Sequence, residues 1–181
     1  MARCSLLLIA ALVVAGALAA PASAAAPAAL LAPVALCPGQ SDASATAAAQ
    51  ERAMLCLVNY ARRRAGIAPL RRSTRLMRAT ALKANDLVRC GQFSHTACGL
   101  AFTTRMSQAG YHFGRAGENI AMGPSSSGSP RAIMLAWLHS SGHLRNLMRR
   151  GYRDQGIAMT AGTMPGYPDA HVWVNEFGAP P

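Results

Sequence analysis

Three side chains of this 181-residue sequence are of the types that bind metal ions or transfer protons. They are His95, Glu118 and His143, and each lies in a short run of small or polar residues. Neutral imidazoles and a carboxylate are ligands that Zn²⁺ accepts, and they also serve as general bases. Brought together by a fold, these residues would form a candidate binding or catalytic site.

The sequence around each residue indicates how it is held. His143 follows Ser140-Ser141-Gly142, which predicts a helix break and a new N-cap. In the first turn of the new helix, the helix dipole disfavours the imidazolium and leaves a neutral nitrogen free to bind. His95 follows the end of a predicted helix, and Glu118 is one of only seven acidic residues in a chain with 18 Lys and Arg.

The same residues also have ordinary structural interpretations, which composition and periodicity leave open. His95 could donate to a backbone carbonyl, and Glu118 could accept from backbone amides or pair with Arg115. His112 and His171 have no partner visible in the sequence, and we assign them structural roles.

Several familiar hydrolase patterns are absent. His139 and His143 are spaced i, i+4, but Ser140 stands where the short metalloprotease pattern needs Glu. The sequence contains no G-x-S-x-G elbow, and Ser94 is merely the sequence neighbour of His95. A cysteine nucleophile is also excluded if the cysteines are oxidised.

Hydrophobic periodicity and turn residues predict the elements that must position these side chains. The predicted elements are helices over 54–65, 73–90, 101–109 and 131–139 and strands over 155–159 and 171–177. Gly66 with Pro69 ends the first helix, Ser73 caps the second, and a Gly/Ser/Pro-rich loop covers 123–130. Helices that precede the strands favour an α+β fold over a βαβ-type parallel sheet.

The N-terminal part of the chain predicts export. Residues 1–24 have a short basic start, an apolar run too short for a bilayer and an A-x-A site, which is typical of a signal peptide cleaved near Ala25. Residues 25–49 are rich in Ala, Pro and Ser and predict a linker, so that the domain covers 50–181. No later apolar run is long enough to span a membrane, and we expect a secreted protein.

Four cysteines remain after the leader, which is an even number in an oxidising compartment. Cys90 and Cys98 bracket a short loop, whereas Cys37 lies in the N-terminal segment and Cys56 lies on the first helix. This arrangement favours the pairs 37–56 and 90–98, although three pairings are open to four cysteines.

The chain is strongly basic, with a net charge of +11 that cleavage of the leader lowers by the one charge of Arg3. Seven arginines fall between Arg62 and Arg78. Such a cluster could attract an anionic cell-envelope polymer, although a solvated helix face explains it as well. Few aromatic residues interleave with the arginines, so nucleic acid is disfavoured as a partner.

Five segments, taken in their order and spacing, resemble the CAP superfamily (cysteine-rich secretory, antigen 5 and pathogenesis-related 1), in its bacterial secreted form. They are Leu57-Val58-Asn59-Tyr60-Ala61-Arg62 with Gly66, Pro69 and Leu70; Phe93-Ser94-His95; Gly117-Glu118-Asn119-Ile120-Ala121; the run from Trp137 to Met148; and Gly156-Ile157-Ala158 with the stretch from Trp173 to Gly178. The resemblance covers the whole predicted domain. It implies an α-β-α sandwich with a central antiparallel sheet and a cleft where histidines and glutamates converge.

The resemblance also identifies a departure. Many eukaryotic members carry a second cleft glutamate where this sequence has Ser140. The implied cleft therefore contains His95, Glu118 and His143, with Ser140 able at most to orient a water or ligand. A zinc or other divalent ion would be held by His95 and His143, with weaker affinity because one anionic ligand is missing.

Three functions follow from these observations. We rank first a non-enzymatic extracellular binding module whose cleft holds a metal ion or a small amphipathic or lipidic ligand; lipid is named only because of the family. The second is a zinc-dependent hydrolase in which Glu118 activates water. The third is a cationic protein that binds envelope polymers through its net charge.

Overall fold

The computed structural model describes residues 27–181, so the predicted leader over 1–24 lies outside the described residues. Within that range the chain forms six α-helices and four strands. The helices are α1 (Pro27–Leu30), α2 (Ala47–Arg64), α3 (Thr74–Cys90), α4 (Phe102–Gln108), α5 (Pro130–His139) and α6 (Ser141–Leu147). The strands are β1 (Arg71–Arg72), β2 (Arg115–Pro124), β3 (Asp154–Met164) and β4 (Tyr167–Ala179). Helices and strands in this order confirm the α+β class.

Helix α3 begins and ends at the residues that its sequence predicts, whereas α2 begins at Ala47, seven residues before the predicted start at Met54. The Ser73 hydroxyl accepts a hydrogen bond from the Leu76 backbone N–H at the start of α3. Gly91 ends that helix in the left-handed conformation, with φ of 59°, which residues with a side chain rarely adopt. The helix therefore stops one turn before the loop that carries His95.

The sheet has the strand order β1-β3-β4-β2. Its three long strands are antiparallel, but β1 pairs with β3 in parallel, so the sheet is mixed rather than purely antiparallel as expected. The two predicted strands are present and longer than expected. The sequence analysis missed β2, because its Gly- and Asn-containing run does not alternate between apolar and polar residues.

Helices cover both faces of the sheet, which confirms the α-β-α sandwich. Along β4, Trp173 and Phe177 pack into one core with α2 and α5. The alternate residues Val172 and Val174 pack on the opposite face against α3. Glu176 lies two residues after Val174 along β4, so its side chain lies on the same face of the sheet, towards α3. Glu118 on β2 is the register partner of Glu176 and therefore lies on that face too.

The segment expected as a linker over 25–49 is packed against the domain from Leu30 onward. Leu30, Ala32 and Cys37 are buried in the core on the α2 and α5 side of the sheet. Arg131 on α5 donates to the Ala32 carbonyl at 2.8 Å and to the Gln40 amide oxygen at 2.7 Å. A few small apolar side chains and one arginine therefore pack a segment whose composition suggested no core.

Both favoured disulfides are present. Cys37 is bonded to Cys56, and Cys90 is bonded to Cys98, each with a Cα–Cα distance of 5.7 Å. The first ties the N-terminal segment to α2, and the second ties the end of α3 to the loop after His95. The second bridge thus holds one end of the loop that carries His95.

Candidate functional site

His95 and Glu118 are in direct contact. The His95 Nδ1 atom lies 2.6 Å from the Glu118 Oε1 atom, a short hydrogen bond between a loop and strand β2. The His95 side chain is 55% exposed, whereas the Glu118 side chain is 1% exposed. A buried carboxyl therefore holds one nitrogen of an imidazole whose ring is open to solvent, and Nε2 is the nitrogen left to meet a ligand.

The pairing of Glu118 with Arg115, one of the structural alternatives, does not occur among the ion pairs of residues 27–181. The His95 loop has a second anchor, because Lys83 on α3 donates from Nζ to the Ser94 carbonyl at 2.9 Å. Lys83 is the only lysine of the sequence and is fully buried.

Glu176 is a site residue that the sequence analysis missed. It is the register partner of Glu118 across β2 and β4, so the two side chains lie on the same face of the sheet, with Cβ atoms about 5 Å apart. Glu176 is fully buried, and neither of its carboxyl oxygens has a hydrogen-bond partner within the described part of the chain. Only the strand register could have revealed this pair, since 58 residues of sequence separate the two glutamates.

Burial controls the protonation of this cluster. Burial, reinforced by the charge of Glu118, raises the pKa of Glu176 well above its ordinary value, and Lys83 only partly opposes the shift. Burial also raises the pKa of Glu118, against the hydrogen bond with His95 and the charge of Lys83. Desolvation lowers the pKa of Lys83. Two buried carboxyls on the same face of the sheet cannot both ionise at low cost, so the charge of Glu118 opposes the ionisation of Glu176.

His143 lies in the first turn of α6, as the sequence predicts, with Ser140 at the N-cap. Its ring is tilted by 43° relative to the Trp137 ring, and the ring centroids are 6.4 Å apart. The Nδ1 atom of His143 is buried and has no hydrogen-bond partner among the described residues. The pKa of His143 is lowered, mainly by burial and further by the charge of His95. The neutral imidazole is therefore favoured, as the sequence analysis expects, but the leading cause is burial rather than the helix dipole.

Two asparagines connect the segments that carry Glu118 and His143. Asn119 donates to the His143 carbonyl at 3.1 Å. Asn146 donates to the Glu118 carbonyl at 3.1 Å and to the Asn119 side-chain oxygen at 2.9 Å. These asparagines of the two motifs therefore hold α6 against β2.

The sequence analysis assigned a metal to His95 and His143 with Glu118 as the base, and the described residues do not add the further ligands that a closed zinc site has. Within residues 27–181, no three His, Cys, Asp or Glu side chains converge closely enough to hold a metal ion. Glu118 engages the Nδ1 atom of His95 and leaves Nε2 to meet a ligand, whereas the Ser140 hydroxyl makes no capping hydrogen bond. No step of a reaction can be assigned to a metal at these residues.

The chain supplies no clear nucleophile beside His95. The Ser94 hydroxyl lies 3.1 Å from the Thr96 hydroxyl and accepts from the Thr96 backbone N–H at 3.1 Å. The four cysteines of the described region are in disulfides. The chemistry that this arrangement supports is hydrogen bonding through an exposed imidazole.

Comparison with known proteins gives one family. The family model described as "CAP: Cysteine-rich secretory protein family" matches residues 55–177. The sequence has no match among curated proteins.

Solved structures share the fold at low sequence identity. An extracellular protein of Bacillus anthracis containing an SCP domain has a TM-score of 0.64 at 22% identity over 73% of this chain and 41% of its own. An outer surface protein of Borrelia burgdorferi has a TM-score of 0.60 at 18% identity over 71% of this chain and 90% of its own. A cysteine-rich secretory protein of Staphylococcus aureus has a TM-score of 0.58 at 13% identity over 75% of this chain and 40% of its own.

Two of these structures are much longer proteins, and the chain spans only about two fifths of their length. At these identities the likeness concerns the fold alone. Within residues 27–181, no helix combines the length and apolar character needed to cross a bilayer.

Proposed function

The chain belongs to the CAP family of cysteine-rich secretory proteins, and we propose that it acts outside the cell as a binding module rather than as a metallohydrolase. The module is a domain over 50–181, exported by a leader that is cleaved near Ala25. Its ligand is a small polar or amphipathic molecule held in the cleft of His95, Glu118 and His143, where Ser140 can at most orient it or a water.

The observation that carries this proposal is the contact between His95 and Glu118. A 2.6 Å hydrogen bond to a buried carboxyl fixes the imidazole, while the ring remains more than half exposed. A fixed and exposed polar group loses little conformational freedom when it binds a ligand, which favours recognition. The lack of a third metal ligand and of a free nucleophile among the described residues makes binding a better account than hydrolysis.

The amphipathic character of the ligand has weaker support. Four methionines that could line a groove, Met106, Met134, Met159 and Met164, are buried in the core. The exposed apolar side chain beside the site is Phe93, which is 43% exposed and lies two residues before His95. We therefore place any apolar part of the ligand against Phe93.

The proposal is tested with three proteins produced by secretion: the wild type, His95→Gln and the control His139→Gln. His139 is an exposed histidine at the end of α5, so its variant matches the chemical change without touching Glu118. Each protein is titrated with zinc by calorimetry, and each is extracted with organic solvent for mass spectrometry of bound molecules. We expect no zinc binding, and a co-purified small molecule in the wild type and His139→Gln that is missing from His95→Gln.

Stoichiometric zinc binding that His95→Gln abolishes and His139→Gln retains would contradict the proposal and restore the zinc-dependent hydrolase, with Glu118 as the base. An extract that is the same for all three proteins would also contradict it, since the cleft would then hold nothing that depends on His95.

A further inference from the structure

A cavity of about 550 Å³ lies where β1 meets the start of α3, and none of His95, Glu118 and His143 lines it. Three arginines line its wall, Arg71, Arg72 and Arg75, all of them exposed. His112, on the loop before β2, lies on the same wall. The sequence analysis had assigned His112 a structural role.

The charges of this cavity are not balanced by the chain. The carboxyl that lines it is Asp154, which accepts from Arg71 Nε at 2.9 Å and from the Tyr111 hydroxyl at 2.9 Å. Asp154 therefore neutralises Arg71. Arg72 and Arg75 form no ion pair among the described residues, although Glu51 lies near enough for Arg72 to lower its pKa. The cavity keeps a net positive charge.

The backbone adds further hydrogen-bond donors. Thr74 and Arg75 are the first residues of α3, and both line the cavity. Their N–H groups have no acceptor within residues 27–181, because the Ser73 hydroxyl caps Leu76. An acidic residue in the first turn of a helix stabilises it, but the first turn of α3 contains none. Basic side chains stand there instead, so the favourable negative charge must come from outside the chain.

We propose that this cavity binds phosphate groups, carried either by a soluble polymer or by a lipid headgroup. Guanidinium groups bind phosphate oxygens through paired hydrogen bonds, and Arg72 and Arg75 are free to do so. The unpaired N–H groups of α3 add the donors that phosphates accept at helix N-termini. The site is separate from the His95 cleft. The net charge of the chain predicts attraction to anionic partners, and this cavity is where we expect their phosphate groups to bind.

The cavity favours phosphate without bases over nucleic acid. Tyr111 is buried, with 5% exposure, and the exposed ring of the wall is the single imidazole of His112, which is too little for a platform on which successive bases stack. Recognition then depends on charge and on hydrogen bonds to phosphate oxygens.

The test compares the wild type with Arg72→Gln/Arg75→Gln and with the control Arg63→Gln/Arg64→Gln. The control removes the same charge from two exposed arginines at the end of α2, which line a different cavity. Inorganic pyrophosphate is titrated by calorimetry at about 10 mM and about 150 mM salt, where screening differs strongly. Far-UV circular dichroism checks that each variant is folded.

We expect pyrophosphate to bind the wild type at low salt and the affinity to fall at the higher salt concentration. The cavity variant should bind about tenfold more weakly or worse, because it loses charge-assisted hydrogen bonds. The control should stay within about twofold, since long-range attraction is all that it changes. Inorganic polyphosphate and vesicles containing phosphatidylglycerol, tested in the same way, then distinguish a soluble polymer from a lipid headgroup as the source of phosphate.

Two results would overturn the proposal. One is the absence of pyrophosphate binding by the wild type at low salt. The other is an equal loss of affinity in both double variants, which would assign the attraction to net charge without a site.

Discussion

Replacing Glu176 by Gln should make the protein more stable as the pH rises, relative to the wild type. In the wild type, a fully buried carboxyl without hydrogen-bond partners among the described residues faces Glu118 across the strands. Its pKa in the folded state is raised well above the unfolded value, mainly by burial. A glutamine keeps the shape of the side chain but has no proton to lose.

The magnitude follows from proton linkage. The unfolded side chain titrates near pH 4.3, whereas the folded protein retains the proton to higher pH. Between these two values the native state binds one more proton than the unfolded state, so the stability of the wild type falls with pH by about 1.4 kcal/mol per unit. The contribution of the neutral Glu176 is thus complete below the unfolded pKa and is lost as pH rises through the folded one. The glutamine of the variant has no such loss.

The assay is urea unfolding of both proteins at about pH 5, 6 and 7, a range that begins just above the unfolded pKa of the side chain. The free energy of unfolding of the variant minus that of the wild type should increase with pH from about pH 5, by at most about 1.4 kcal/mol per pH unit, until the pH passes the folded pKa of Glu176. Subtracting the two proteins cancels the titration of histidines that they share. A constant cost of burying the amide shifts the whole difference without changing its slope.

A second pair of proteins isolates the role of the neighbouring carboxyl. In a Glu118→Gln background the charge that helps to raise the pKa of Glu176 is gone. The difference in unfolding free energy between the proteins with and without Glu176→Gln should then stop growing at a lower pH than it does when Glu118 is present. A difference between wild type and Glu176→Gln that stays constant from about pH 5 to pH 7 would refute the reasoning, because Glu176 would then already be ionised in the fold.

Three further changes test the packing around the site. Gly117→Ala should cost about 1–3 kcal/mol in urea unfolding, because the added Cβ would clash with the Tyr152 hydroxyl oxygen; an unchanged midpoint would mean that Tyr152 moves freely. Arg62→Ala should cost about 3 kcal/mol or more, since the buried guanidinium donates to three backbone carbonyls, and Arg62→Lys should recover only part of that stability in the same assay. Replacing Cys37 and Cys56 together by Ser should lower the free energy of unfolding by about 3 kcal/mol and make the N-terminal segment sensitive to limited proteolysis, whereas resistance like that of the wild type would show that packing alone holds the segment.

Local signals in the sequence predicted most of the helical part of the fold. Ser73 and Gly91 mark the ends of α3 because a hydroxyl cap and a left-handed glycine act within one turn. Ser140 is the N-cap residue of α6 as predicted, with His143 in the first turn, although the Ser140 hydroxyl makes no capping hydrogen bond. Strand β2 was not predicted, since its pattern is set by neighbours that are distant in sequence.

The candidate site was predictable by residue type and only partly by environment. His95 and Glu118 could be named from their motifs, but their contact depends on a loop fixed by Lys83 and by the second disulfide. Glu176 could not be found, because a carboxyl in a strand looks like an exposed residue until the register places it opposite Glu118. The environment of each acid, and hence its protonation, comes from tertiary contacts.

The strand order also governs when the fold can be completed as the chain is made. The last strand of the sequence, β4, lies inside the sheet, between β3 and β2. A nascent chain that has emerged only as far as β3 therefore holds two long strands that have not yet met their common neighbour. The native sheet therefore cannot close until β4 itself has been synthesised, because β4 is the strand that joins β2 to β3.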